Sequence, residues 1–207
     1  MPAALTLVIG TRRFSSWSLR PYLALKAAGA VFDEVEIALR QPDTKERILG
    51  WSPSGKVPLL IDGETRVWDS LAICEYVAEL FPQAGLWPKG REARALARSV
   101  AAEMHAGFPN LRNHCPMELV APEALAEIPP EVLTETARIR ALWADCRTRF
   151  GAGGPFLFGQ FTIADAMYAP VVTRFTAYDL PQDATSQAYC DAVWALPAMG
   201  EWKAKAV

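Results

Sequence analysis

The chain has 207 residues, enough for one large or two small domains that each bury a core. Hydrophobic residues make up 51% of it and charged residues 21%, the balance of a folded globular protein rather than of a disordered one. A net charge of -2 without a lysine or arginine block argues against a nucleic-acid footprint or a polybasic membrane anchor, and no segment reaches the length of a membrane span.

The first ten residues, Met-Pro-Ala-Ala-Leu-Thr-Leu-Val-Ile-Gly, carry no basic leader and pass straight into a strand-like run, so no signal peptide is expected. Leu5 to Ile9 reads as a strand buried on both faces, and Trp17 to Ala28 as a helix ending at Gly29. Between them lies Phe14-Ser15-Ser16-Trp17-Ser18-Leu19-Arg20-Pro21. Ser16 or Ser18 can cap the helix there, with Pro21 tolerated in its first turn. Phe32 to Ala38 alternates as a second strand, and a polar helix near Asp43 to Leu49 follows.

Leu59 to Trp68 reads as two short strands, around Leu60 and Val67, joined by a turn. The first opens with Val57-Pro58. Proline has no amide hydrogen and belongs at a strand's start or edge, so the backbone groups of Val57 can stay free for something outside the sheet. Asp69-Ser70 then precedes a stretch in which Ile73, Tyr76, Val77 and Leu80 recur at i, i+3, i+4 and i+7, the spacing of an amphipathic helix over Leu71 to Phe81. Free amides and the helix dipole at its start favour a carboxylate. An extended ligand with an amino-acid-like end suits both places. Its amides would pair with Val57, its carboxylate would meet Ser70 and its ammonium Asp69.

The order β-α-β-α-β-β-α predicts a parallel strand pair with an antiparallel addition, as in a thioredoxin-like domain. Two prolines and a glycine in Phe81 to Pro88 mark its end, so the expected division is a domain over 1-82, a linker over 83-90 and an all-helical domain over 91-207. Helices are expected over Arg91 to about Leu111, Glu131 to Phe150 and Ile163 to Tyr178, with shorter ones near Ala184 to Trp194 and Met199 to Lys205. Within the second, Ile139, Leu142, Trp143, Cys146 and Phe150 share a face. Arg138, Arg140, Arg147 and Arg149 read as its solvated side. Glu103 to His114 holds both histidines and is broken by Gly107 and Pro109, either for packing or to open a pocket at His105, Phe108 and Arg112. Thr162 and Asp165 form a capping box with aspartate in place of glutamate. Cys74, Cys115, Cys146 and Cys190 lie far apart without a CxxC or a histidine at ligand spacing, so free buried thiols are expected and neither zinc nor dithiol chemistry is.

Ser54-Gly55-Lys56-Val57-Pro58-Leu59-Leu60 followed by Asp69-Ser70 resembles the glutathione-binding half of the glutathione transferase family, in which that proline is cis. Phe161-Thr162-Ile163-Ala164-Asp165 is similar to the capping segment of the family's helical domain. The Ser-Ser-Trp-Ser run resembles the serine-type transferases, above all the zeta class, although Trp17 stands where that class has cysteine.

The resemblance implies an α/β thioredoxin-like N-terminal domain followed by an all-α domain, with glutathione as co-substrate and no metal. It implies that Val57 binds the cysteinyl backbone, Asp69 and Ser70 the γ-glutamyl end, and Lys56 or Arg40 the glycine carboxylate. Ser15 would carry the activating hydroxyl, with Ser16 its neighbour. A thiol of pKa roughly 8.5 is mostly protonated at neutral pH, and lowering it by two units takes about 2.7 kcal/mol, much of which one charge-assisted hydrogen bond supplies. The hydrophobic electrophile would lie between the domains, against His105, Phe108 and Arg112. A cytoplasmic homodimer follows from the same resemblance. Other activities compatible with these residues are a maleylacetoacetate-type cis-trans isomerase, against which Trp17 weighs, a peroxidase, and a non-catalytic glutathione-binding module.

Overall fold

The computed structural model describes residues 5–206. The expectation about the first four residues lies outside that range. The elements run β1 (Leu5–Gly10), α1 (Ser16–Ala27), β2 (Phe32–Ile37), α2 (Thr44–Leu49), β3 (Leu59–Asp62), β4 (Thr65–Trp68) and α3 (Ser70–Leu80). The remaining elements are helical: α4 (Arg91–Ala106), α5 (Pro109–His114), α6 (Pro130–Phe150), α7 (Ile163–Ala177), α8 (Ala184–Trp194) and α9 (Pro197–Ala204).

The four strands form one sheet in the order β2-β1-β3-β4. β1 pairs parallel to β2, while β3 joins β1 and β4 antiparallel. Alternation along β1 divides the core. Leu5, Leu7 and Ile9 face α1 and α3, whereas Val8 points to a small cluster with Ile37, Ile48 and Leu59 under α2. The larger cluster continues without a break into the helical half, where every residue of α7 from Ile163 to Phe175 is buried. α9 returns to the sheet side and seats the buried Trp202 ring 4.8 Å from Tyr22.

Several local expectations change. Pro21 sits inside α1 beyond its first turn, because the helix starts at Ser16, and the residue at the cap position is Ser15 rather than Ser16 or Ser18. The helix expected to run from Arg91 to about Leu111 ends at Ala106. A Cβ at Gly107 would fall 2.6 Å from the Glu103 carbonyl, and Phe108 takes a left-handed backbone (φ 55°) before Pro109 opens α5. Arg138 and Arg149 of α6 are exposed, as a solvated side requires, and the arginines there carry surface pairs. Arg138 grips Glu103 at 2.9 Å, Arg149 grips Glu92 at 2.6 Å, and Arg147 donates to the carbonyls of Pro155 and Phe156.

The capping box at α7 forms as expected. The Thr162 amide and hydroxyl both donate to Asp165 Oδ2, at 2.8 and 2.9 Å, and the Leu157 amide donates to Oδ1 at 3.0 Å. Burial pushes the Asp165 carboxyl up to about 6, and these donors oppose it. The four cysteines are free and buried. Burial raises all four thiols, Cys115 to about 11 and Cys146 and Cys190 to about 12, which keeps them protonated and unreactive.

Candidate functional site

The Val57-Pro58 peptide bond is cis. Pairing of β3 with both neighbours starts at Leu59, opposite Val8 and Trp68, so the backbone of Val57 lies outside the sheet register. β4 ends at Trp68, and Asp69 follows with φ 75° as the cap of α3. Its Oδ1 accepts from the Leu71 amide at 2.9 Å, and its Oδ2 faces His105 Nε2 across the seam at 3.4 Å. Ser70 opens α3, only 1% exposed, with a hydroxyl that has no protein partner. A buried hydroxyl without a partner is costly, and a ligand acceptor or donor relieves that cost.

These places open on one cavity of about 590 Å³. Of the residues singled out in the sequence, Lys56, Val57, Pro58, Asp69, Ser70 and His105 line it together. Ser54, Trp17 and Trp68 complete the wall and were missed. Both tryptophans had a signal in the chain, since Trp17 interrupts the serine loop and Trp68 directly precedes Asp69.

Ser15 and Ser16 are not among the lining residues. Ser15 is 6% exposed, and its hydroxyl donates to Ser18 Oγ at 2.7 Å, which in turn accepts from the Gly10 amide at 3.1 Å. The Ser15 side chain therefore makes no capping bond to the first turn of α1. Phe108 is buried, and Arg112 donates to the His105 carbonyl at 3.3 Å; neither lines this cavity. Arg40, with φ 61°, stacks its guanidinium 3.8 Å from the Phe14 ring. It belongs with Arg13, Phe14, Met117, Glu118 and Tyr178 to a second cavity of about 550 Å³, which shares no lining residue with the first.

Behind Trp17 lies Arg20, 0% exposed, its guanidinium 4.1 Å from the indole centroid and none of its nitrogens bonded within the protein. Arg112 approaches the same ring at 5.6 Å, and His105 meets it edge-on at 5.3 Å. Burial, reinforced by the nearby Arg174 charge, lowers the Arg20 guanidinium to about 9. Arg174 is lowered to about 10 chiefly by burial, although it donates to the carbonyls of Cys115 and Pro170. Arg20 was also missed in the sequence, where the only cue is a charge set in the otherwise apolar run Leu19 to Leu25. The surroundings of Trp17 are thus cationic. Among the described residues no cluster of histidine, cysteine and carboxylates could hold a metal ion, and no helix is long and apolar enough to cross a membrane.

Residues 14–80 match the family model of the glutathione S-transferase N-terminal domain, and residues 123–198 that of its C-terminal domain. A probable maleylacetoacetate isomerase of Caenorhabditis elegans is 34% identical over 103 residues, 49% of this chain and 47% of the relative. A zeta-class glutathione S-transferase of Euphorbia esula is 26% identical over 167 residues, 78% of this chain and 74% of the relative. The chain spans about half the length or less of the first curated relatives it matches. The crystal structure of a glutathione transferase homolog from Burkholderia GL BGR1 with bound glutathione superposes with a TM-score of 0.74 at 23% identity, covering 98% of this chain and 97% of that one. With one family's two domain models meeting the α/β half and the helical half in that order, the chain belongs to the glutathione S-transferase family.

Proposed function

We propose that the protein is a glutathione transferase that activates the glutathione thiol with a serine hydroxyl for attack on an electrophile. The observation that carries this reading is the convergence of the free Val57 backbone, Asp69 and the partnerless Ser70 hydroxyl on one cavity. Val57 pairs with the cysteinyl backbone, Ser70 takes the γ-glutamyl carboxylate, Asp69 Oδ2 takes its ammonium, and Lys56 meets the glycine carboxylate.

Ser15 stands next to the start of α1, and its hydroxyl turns from Ser18 to donate to the sulfur. The thiol proton leaves to solvent, the thiolate forms a carbon–sulfur bond, and the displaced group departs with the electron pair. Ser16, the next residue, is the alternative donor. The electrophile sits at the seam near His105, Phe108 and Arg112. The cationic surroundings of Trp17 favour an electrophile that carries a polar or anionic group beside its hydrophobic part.

The C. elegans relative's name favours a second reading, isomerisation of a cis double bond with glutathione regenerated. Trp17 weighs against it. Four free buried thiols support a reducing, cytoplasmic setting, and the family supports a homodimer.

Titration with reduced glutathione at two pH values, following heat and thiolate absorbance, tests the proposal. Saturable binding with thiolate present well below its free pKa is expected. Binding without thiolate would replace the enzyme by a carrier, and no binding would overturn the site.

A further inference from the structure

The loop between β1 and α1, which carries Ser15, is held by side chains from distant parts of the chain. The Thr11 hydroxyl accepts from the Leu39 amide at 2.8 Å. The guanidinium of Arg12 pairs with Glu34 and Glu36 of β2, and its carbonyl accepts from Trp202 Nε1 of α9 at 3.1 Å. Arg13 reaches the other way. Its Nε donates to both carboxylate oxygens of Glu118 at 2.6 Å, across 105 positions of sequence.

Glu118 is itself fixed. Its side chain is 13% exposed, and its Oε1 also accepts from the amides of Val120 and Ala121, at 2.8 and 3.2 Å. The carboxylate therefore stays in place as a post. On the other side, the amides of Phe14 and Ser15 both donate to the Thr11 carbonyl, at 3.0 and 2.9 Å, so residues 11 to 15 form a tight turn. A pull on Arg13 is carried to Ser15 because the turn between them has little slack. Among the described residues, this ion pair joins the serine loop to the segment after α5, and both partners line the second cavity.

We propose that Glu118, acting through Arg13, is a positioning residue: it sets where the serine loop sits relative to the glutathione cavity. This rests on the transferase reading for its catalytic consequence, though not for its structural one. Neither Arg13 nor Glu118 lines the glutathione cavity, so the pair governs the angle at which the hydroxyl meets sulfur and not the tripeptide's affinity. Catalytic geometry is steep in distance, and a displacement of about 1 Å costs on the order of a hundredfold in rate.

The test uses Glu118→Gln, which keeps the shape and the two amide bonds while removing the charge, and Arg13→Lys as a second variant should the first fail to fold. The expected result is glutathione affinity within about twofold of wild type, kcat lower by about tenfold or more, and thiolate formation on bound glutathione moved to higher pH. Backbone hydrogen exchange at residues 14 to 18 is expected to speed up by about tenfold while α3 and α4 keep their protection.

A lowered melting temperature with unchanged kcat and unchanged exchange at 14 to 18 would reduce the pair to a strut and overturn the proposal. The exchange measurement needs no turnover. If the wild-type protein ionises no thiol but exchange still responds to Glu118→Gln, the positioning contact stands and the transferase reading falls.

Discussion

The guanidinium of Arg20 lies 4.1 Å from the ring centroid of Trp17, fully buried and without a hydrogen bond to any protein atom. Stacking on an indole offsets only part of the cost of burying a charge. Arg20→Met keeps a long side chain against Trp17 and removes the charge. Its melting temperature is expected to equal or exceed that of wild type, by up to about 2 kcal/mol in stability. A clear loss of stability in thermal unfolding would show that an acceptor outside the protein chain satisfies Arg20 in solution.

Ser15 and Ser18 share a 2.7 Å hydrogen bond behind the start of α1. Ser15→Ala is expected to lower kcat by about tenfold to a hundredfold, the worth of one charge-assisted hydrogen bond to sulfur, with little change in glutathione affinity. Steady-state kinetics alongside calorimetry separates the two, and an unchanged kcat would move the role to Ser16.

Asp69 has two tasks, capping α3 with Oδ1 and presenting Oδ2 to the cavity. Asp69→Ala is therefore expected to cost about 1 kcal/mol of stability through the cap and about tenfold or more in glutathione affinity. Ser70→Ala removes only a hydroxyl without a protein partner, so affinity falls while the melting temperature holds. Wild-type affinity in both variants, measured by calorimetry, would remove the γ-glutamyl assignment.

Asp165 accepts from the Leu157 amide, the Thr162 amide and the Thr162 hydroxyl within a fully buried cap. Asp165→Ala strands two buried amides and is expected to cost at least about 2 kcal/mol. For a chain of this size that is a fall of about 4 to 8 °C in melting temperature.

Burial works against ionisation of Glu118, but Arg13 and the amides of Val120 and Ala121 outweigh it and hold the carboxyl below its ordinary value. Because the folded pKa is the lower one, the unfolded chain binds the extra proton in the window between them, and the stabilisation is full above the ordinary carboxylate range. It is lost as pH falls through the folded value. The protection of residues 14 to 18 from exchange, relative to the intrinsic rate at each pH, is accordingly expected to fall on acidification below about pH 4.5, and Glu118→Gln is expected to flatten that response.

The sequence by itself determined the parts whose chemistry is local. A proline at the head of β3, Asp69-Ser70 before an apolar period of helical spacing, and Thr162 three residues before Asp165 each specify their conformation through neighbours a few bonds away. The strand and helix order followed, and with it the two halves of the fold. Only the tertiary structure decided which side chains meet across the seam. His105 faces Asp69, the Ser15 hydroxyl turns inward to Ser18, and Arg13 finds Glu118. Arg20 is stranded inside because α1 is packed on every side, a property of its neighbours α3 and α7 and not of its own spacing. Such contacts join residues up to 190 positions apart, and their geometry is set by how whole elements pack, which no local pattern encodes.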